Sequence, residues 1–336
     1  MIKGLLSILL FFSALAGATA QEIVVDHLWS PHRIAFDRTG RRLYICQPEL
    51  GAEIDVFDLD SRTLSVLAKG VAEGIAVDQR GRIYLFTEFR VYQFDPVTGR
   101  MTLIAGSDAS GSSVFPVTSG DGGPATLATL GYVKSVSIDS WGNVYIGEYK
   151  GMKVRRVDAA TGIITTVAGT GGFGYSGDGG DGRKAEFGPI TDLLIDRNDD
   201  LLIVDSFNDR IRRLDHLTGV VSTIAGDGAY DDHTGDNATT SSFLRPLYLA
   251  FDEAGNLYIS QFNGAVRRID ATTQRVITVA SNLGTIEGIA VAHDGSLYYS
   301  HRPAASGPPA LVGQVLRLPS CSKECPPLPK RRAVRH

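Results

Sequence analysis

The chain is poor in cysteine, methionine and tryptophan, and it has almost no net charge. Three cysteines, Cys46, Cys321 and Cys325, stand among 336 residues. That is too few for a disulfide scaffold, and the odd count leaves at least one thiol outside any intrachain bridge. Cys321 and Cys325 lie four apart in a Pro-rich tail and could bridge each other. Without two further ligands such a pair does not make a zinc site. Cys46 falls inside an apolar strand pattern and reads as a buried small hydrophobe. The net charge of −4 gives no electrostatic reason to expect nucleic acid as a partner. Helical periodicity is missing almost throughout. No segment after the first twenty residues is apolar enough to span a bilayer.

What is present starts with the N-terminus, MIKGLLSILLFFSALAGATA. Lys3 supplies a positive start, Leu5 to Leu15 an apolar run, and Ala18-Thr19-Ala20 a small-x-small cleavage site before Gln21. This is the pattern of a secretory signal peptide over residues 1–20, so the mature chain is expected to be secreted or periplasmic. The whole chain is 43% hydrophobic with 38 glycines, a composition of many turns around a core.

Six segments repeat: IAFDRTGRRLYICQ from Ile34, IAVDQRGRIYLFT from Ile75, VSIDSWGNVYIGE from Val136, LLIDRNDDLLIVD from Leu193, LAFDEAGNLYISQ from Leu249 and IAVAHDGSLYYSH from Ile289. Each is an apolar strand, a short turn rich in Asp, Gly and Asn, and a second apolar strand, which is hairpin chemistry. Third strands follow as VRRVD, IRRLD, VRRID, VYQFD and VLRLP, then turns such as DPVTGR, then fourth strands such as ITTVAG. Four antiparallel strands in each of six units specify an all-β, six-bladed β-propeller over residues 21–319, with a Pro/Cys/basic tail at 320–336. The sixth unit lacks a fourth strand, and Glu22 to Asp26 matches one. The N-terminal strand is therefore expected to complete the last blade and close the ring.

The unit GNLYI…RRID…TVA, with connectors of the type AG…SGDGGPAT, resembles NHL repeats over about residues 30–318. The resemblance implies a six-bladed propeller and leaves the function open. Among similar propellers are metal-dependent lactonases and amidating lyases, the latter with zinc on three histidines. Of the histidines here only His32 and His301 align to the channel mouth, so a three-histidine zinc site is not supported.

The long inserts all join a fourth strand to the next first strand, at 106–133, 169–190 and 226–246, so they share one side of the ring. By alignment the channel mouth on that side carries His32, Glu73, Lys134 and Glu287 before the first strands, and Glu148, Asp205 and His301 at the ends of second strands. Glu73 and Glu287 would suit Ca2+; the alternative is that these polar residues simply meet solvent. Asp121, Asp178 and Asp236 occupy one shared position of the three inserts and form a loop rim. There the glycines turn the chain and each aspartate is expected to cap a short helical turn, at Ala125 to Leu130 and Lys184 to Phe187 in the first two inserts, with a calcium or ligand role as the alternative. One arginine of each doublet, Arg155-Arg156, Arg212-Arg213 and Arg267-Arg268, is expected between blades, paired with a carboxylate such as Asp139, Asp196 or Asp252. No Gly-x-Ser-x-Gly elbow is present. The reading that follows is a non-catalytic module binding a protein, glycan or small molecule outside the cytoplasm. A divalent-metal-dependent propeller hydrolase or lyase, working at the channel mouth, is the alternative.

Overall fold

A computed structural model of the chain describes residues 21–48, 52–70, 73–107, 118–302 and 313–320. The expected leader at 1–20, Cys321, Cys325 and residues 108–117 of the first insert lie outside these. The described chain folds into six four-stranded antiparallel sheets, five with their strands in sequence order and the sixth completed by the N-terminal strand. The innermost strands are Ile34–Phe36, Gly74–Val77, Val133–Ile138, Ile190–Ile195, Pro246–Phe251 and Thr285–Val291, and they define blades 1 to 6. Each contacts its two neighbours, so the six form a closed ring. The all-β six-bladed propeller expected from the repeats is thus the observed fold. Among the described residues no helix is long and apolar enough to cross a membrane.

Closure follows the expected route. The N-terminal strand Glu22–Leu28 is the outer strand of blade 6 and pairs antiparallel with Gly313–Leu318. Its register runs from Glu22 opposite Arg317 to Leu28 opposite Gly313. Both chain ends therefore belong to one sheet, which leaves blade 6 no missing strand.

The repeat's turn aspartates explain themselves locally. Asp37 Oδ1 accepts the amides of Arg41 and Arg42, and Asp78 Oδ1 those of Arg80 and Arg82. Asp139, Asp196 and Asp252 do the same in blades 3 to 5. In blade 6 Ala292 takes that position and Asp294, two residues on, caps the turn instead. These carboxylates hold hairpins, so Asp139, Asp196 and Asp252 are not the partners of the buried arginines.

The core is six wedges, one between each pair of neighbouring blades. Between blades 2 and 3, for example, Tyr84 and Phe86 pack on Val136, Ile138 and Ile146. Second strands are apolar on both faces because both are covered; Leu43, Ile45, Leu85, Ile146, Ile203 and Ile259 are all fully buried. At about 25 cal/mol per Å2 of apolar surface, such strands supply most of the drive to close the ring. The inserts fill the same wedges: Ala125, Ala128 and Leu130 join the blade 2–3 cluster, and Ala185 and Phe187 the blade 3–4 cluster.

Candidate functional site

The mouth of the channel is built from the starts of the first strands. Alternation would send one residue in two to the axis. Register shifts between Val133 and Ser135, Ile190 and Leu193, Pro246 and Leu249, and Ile286 and Gly288 interrupt that alternation. Such bulges re-aim side chains. The result is a group that period-2 reading does not select: Arg33, Ser135, Asp192 and Tyr248.

Arg33 of blade 1 spans the axis. Its Nη1 lies 2.8 Å from Asp192 Oδ1 of blade 4. Its Nη2 donates to the carbonyls of Lys134 (3.0 Å) and Thr191 (3.1 Å). The guanidinium stands 5.2 Å from the Tyr248 ring and 5.8 Å from the Phe86 ring. Asp192 is saturated in turn: Oδ1 accepts from Ser135 Oγ at 2.7 Å and Oδ2 from the Leu249 amide at 2.8 Å. One side chain thus draws on blades 2 to 5. Beyond it lies a cavity of about 240 Å3 lined by Ile34, Ile75, Val136, Leu193, Leu249 and Ile289.

The expected mouth residues divide into two groups. Glu73, Lys134 and Glu287 share one electrostatic neighbourhood with Arg33. Burial and then Arg33 lower the Lys134 pKa, while Glu73 and Glu287 oppose that shift. Burial raises Glu73, with Lys134 pulling it back. Burial, then Glu287, raises the Tyr248 phenol. His32 stands beside Arg33, its amide donating to the Cys46 carbonyl and its own carbonyl accepting from Ser300 Oγ. Cys46 is fully buried, and burial raises its thiol.

Glu148, Asp205 and His301 lie at second-strand ends, apart from this group. Glu148 Oε1 is 3.3 Å from Arg155 Nη1, and both side chains are buried. Burial, against the pull of Arg155, lifts the Glu148 pKa to about 7. Asp205 Oδ1 accepts from the Gly188 amide and Asn208 Nδ2, both at 2.8 Å. Its Oδ2 stands 3.7 Å from Arg212 Nη1, and burial lifts the group to about 6. His301 Nδ1 is buried without a hydrogen-bond partner, and burial lowers the ring's pKa.

These donors do not fit a divalent cation. Calcium needs six or more oxygen ligands. At the mouth, the carboxylates of Glu73 and Glu287 already act on the Lys134 ammonium. Among the described residues no three His, Cys, Asp or Glu side chains gather to hold an ion.

The rim aspartates are anchors rather than caps. Asp121 Oδ1 accepts from Arg155 Nη2 at 2.6 Å, and Asp178 Oδ1 from Arg212 Nη2 at 2.6 Å. Both arginines are at most 1% exposed, so their guanidinium groups must be paired. The helical turns are short 3-10 turns at Ala125–Leu127 and Gly182–Lys184, the second earlier than expected. Pro124 precedes the first, and Asp181 caps the second. In the third insert Asp236 is exposed and does not take part. Asp232 replaces it, 2.6 Å from Arg267 Nη1. The spacing signals this: anchor and arginine are 34 residues apart in the first two inserts and 35 in the third. The first two inserts also bridge blade edges. Gly122 and Gly123 exchange backbone hydrogen bonds with Ile164, and Gly179 and Gly180 with Val221.

The exposed aromatics are unevenly placed. Trp29, Phe173, Tyr175 and Tyr230 lie on connectors, and Phe207 and Phe262 on the loops joining second to third strands. All these segments belong to the connector side. Among the described residues only Trp141 is an exposed aromatic on a hairpin turn of the other side, where it packs against His216.

No family model matches the chain. NHL repeat-containing protein 2 from Homo sapiens is 25% identical over 180 residues, 51% of this chain and 24% of that protein. The chain is a six-bladed propeller similar to NHL-repeat proteins. It spans only 24% of the length of that curated relative. The propeller also shares its fold with an auxiliary nutrient binding protein from Bacteroides thetaiotaomicron (13% identity, 87% of this chain and 69% of that chain, TM-score 0.58). A calcium-binding protein, regucalcin, from Agrobacterium tumefaciens is similar at 14% identity over 89% of this chain and 93% of its own, with a TM-score of 0.59. At such identities the likeness is one of fold, and it covers both binding proteins and enzymes.

Proposed function

We propose that this propeller is an exported, non-catalytic binding module that holds a protein partner outside the cytoplasm through its connector side. The observation that carries the proposal is the concentration of exposed aromatics on that side, three of which, Phe173, Tyr175 and Tyr230, stand on inserts that buried arginines pin to the blades. Aromatic residues held on rigid supports are the usual anchors of protein interfaces. Export rests on the leader-like first twenty residues. The reading as a metal-dependent hydrolase is disfavoured because Arg33 takes up Asp192 and Lys134 already meets the charge of Glu73 and Glu287.

The test is capture from envelope and medium fractions on immobilised mature chain, with the captured protein identified. The double variant Phe173→Ala/Tyr230→Ala should lose it, and Trp141→Ala on the other side should retain it. Equal capture by all three proteins would overturn the assignment of the surface. Metal-dependent lactone hydrolysis by the wild type would overturn the non-catalytic reading.

A further inference from the structure

One arginine of the connector side is unlike the others. Arg33, Arg155, Arg212 and Arg267 all spend their donors on carboxylates and carbonyls. Arg245 does not. Its guanidinium sits 4.7 Å from the Phe207 ring, 5.5 Å from Tyr230 and 5.6 Å from Phe262. Among the described residues it makes no hydrogen bond and no ion pair. Asp209, whose carboxyl feels the Arg245 charge, accepts the backbone amide of Arg245 instead, at 2.8 Å. A guanidinium has five donors in a planar fork that matches a carboxylate. Here three aromatic side chains surround it and displace part of its water, which strengthens any ion pair it makes.

The cage is prebuilt. Arg245 has φ of 42°, a left-handed conformation unfavourable for a long side chain, and it precedes Pro246, which favours extended backbone. Its amide is held by Asp209, and its carbonyl accepts from the Phe262 amide at 3.1 Å. Strain of this kind persists only where the surroundings enforce it, and it concentrates at functional positions. The rings themselves are accessible: Phe207 is 40%, Tyr230 62% and Phe262 60% exposed.

The propeller contains its own control. Tyr132 precedes the first strand of blade 3 as Arg245 precedes that of blade 5, and it is also left-handed, at φ 54°. It too lies between aromatics of two second-to-third loops, Phe89 at 6.5 Å and Tyr149 at 6.1 Å. Packing at this position is therefore satisfied by a tyrosine. The arginine adds unspent donors and a charge, which packing does not require.

We infer that Arg245, with Phe207, Tyr230 and Phe262, reads an acidic side chain of the partner, flanked by apolar ones, as its point of recognition. The inference rests on the binding reading above. Charge complementarity selects the carboxylate, and the exposed rings select its apolar flanks.

The probe is a capped Leu-Glu-Leu peptide, with Leu-Gln-Leu as its neutral twin, titrated into the mature chain by calorimetry and saturation-transfer NMR. The glutamate peptide should bind about tenfold more tightly than the glutamine peptide, with an advantage that shrinks at high salt. Arg245→Tyr, which copies the Tyr132 arrangement, should abolish the preference and leave the melting temperature unchanged. Phe262→Ala should weaken both peptides. Equal binding of the two peptides, no binding at about 10 mM, or a preference that survives Arg245→Tyr would each overturn the inference. Partner capture that survives Arg245→Tyr would remove the carboxylate site and leave the binding module standing. A glutamate preference without any captured protein would do the reverse.

Discussion

Arg33 Nη1 and Asp192 Oδ1 meet at 2.8 Å across the axis of the propeller, from blade 1 to blade 4. Asp192 is almost fully buried and also holds Ser135 and the Leu249 amide. Removing the arginine leaves a buried carboxylate without its cation. Arg33→Met is expected to destabilise the fold by about 3 kcal/mol. Asp192→Ala should cost more, because it also strands the Ser135 hydroxyl, the Leu249 amide and the guanidinium. Urea unfolding checks both; an Arg33→Met variant within about 0.5 kcal/mol of wild type would show that the ion pair is not structural.

The buried acids beneath the inserts make stability depend on pH in an unusual direction. Glu148 rises from 4.5 to about 7, and Asp205 from 3.8 to about 6, when the chain folds. Between the two values of each group the folded state keeps a proton that the unfolded chain has released. Stability from these groups is therefore full at the acid end and falls as pH rises from about 4 to about 7. Blade 5 has Gln261 at the corresponding position, donating to Asp232 at 3.1 Å. Glu148→Gln should accordingly flatten the pH dependence, by on the order of 1–3 kcal/mol between pH 5 and pH 8. Unfolding curves at the two pH values decide it. A variant that costs more at pH 8 than at pH 5 would contradict the assignment.

Calcium should leave the propeller unchanged. With Lys134 in the field of Glu73 and Glu287, an added divalent ion would have to displace a fixed cation. Thermal melts of the mature chain in chelator and in about 5 mM calcium are expected to coincide, since a ligand that binds the native state raises its stability by mass action. A rise of several degrees in calcium, lost in Glu73→Gln, would instead locate a metal at the mouth.

The blades were legible because their signals are local and repeated six times. Asp37, Asp78, Asp139, Asp196 and Asp252 mark hairpins within five residues of themselves. Closure was legible because Glu22 to Asp26 looks like the strand that blade 6 lacks. The site was less so. Bulges at the first-strand starts bring Asp192 and Tyr248 to the axis beside Lys134 and Glu287, and alternation alone cannot anticipate a bulge. Arg245 carries no pattern at all in the sequence; its rings come from positions 207, 230 and 262, joined only by the fold. The aspartate rim was half legible. Composition aligned Asp236 with Asp121 and Asp178, whereas the constant distance to the buried arginine selects Asp232.

That distinction sets two aspartates against each other. Asp178 accepts from Arg212 Nη2 at 2.6 Å, from Thr223 Oγ1 at 2.6 Å and from the Tyr175 hydroxyl at 3.0 Å. Asp236 is exposed and carries no comparable contact. Asp178→Ala leaves the buried Arg212 without its main anion and frees the insert from the edge of blade 4. It should cost about 3 kcal/mol and speed amide exchange at Gly179 and Gly180, whose backbone pairs with Val221. Asp236→Ala should stay within about 0.5 kcal/mol of wild type, with exchange in its insert unchanged, while Asp232→Ala should behave like Asp178→Ala. Hydrogen exchange read by mass spectrometry reports all three variants together. If Asp236→Ala loosened its insert as much as Asp232→Ala, a buried-arginine rivet would not be what fixes these connectors.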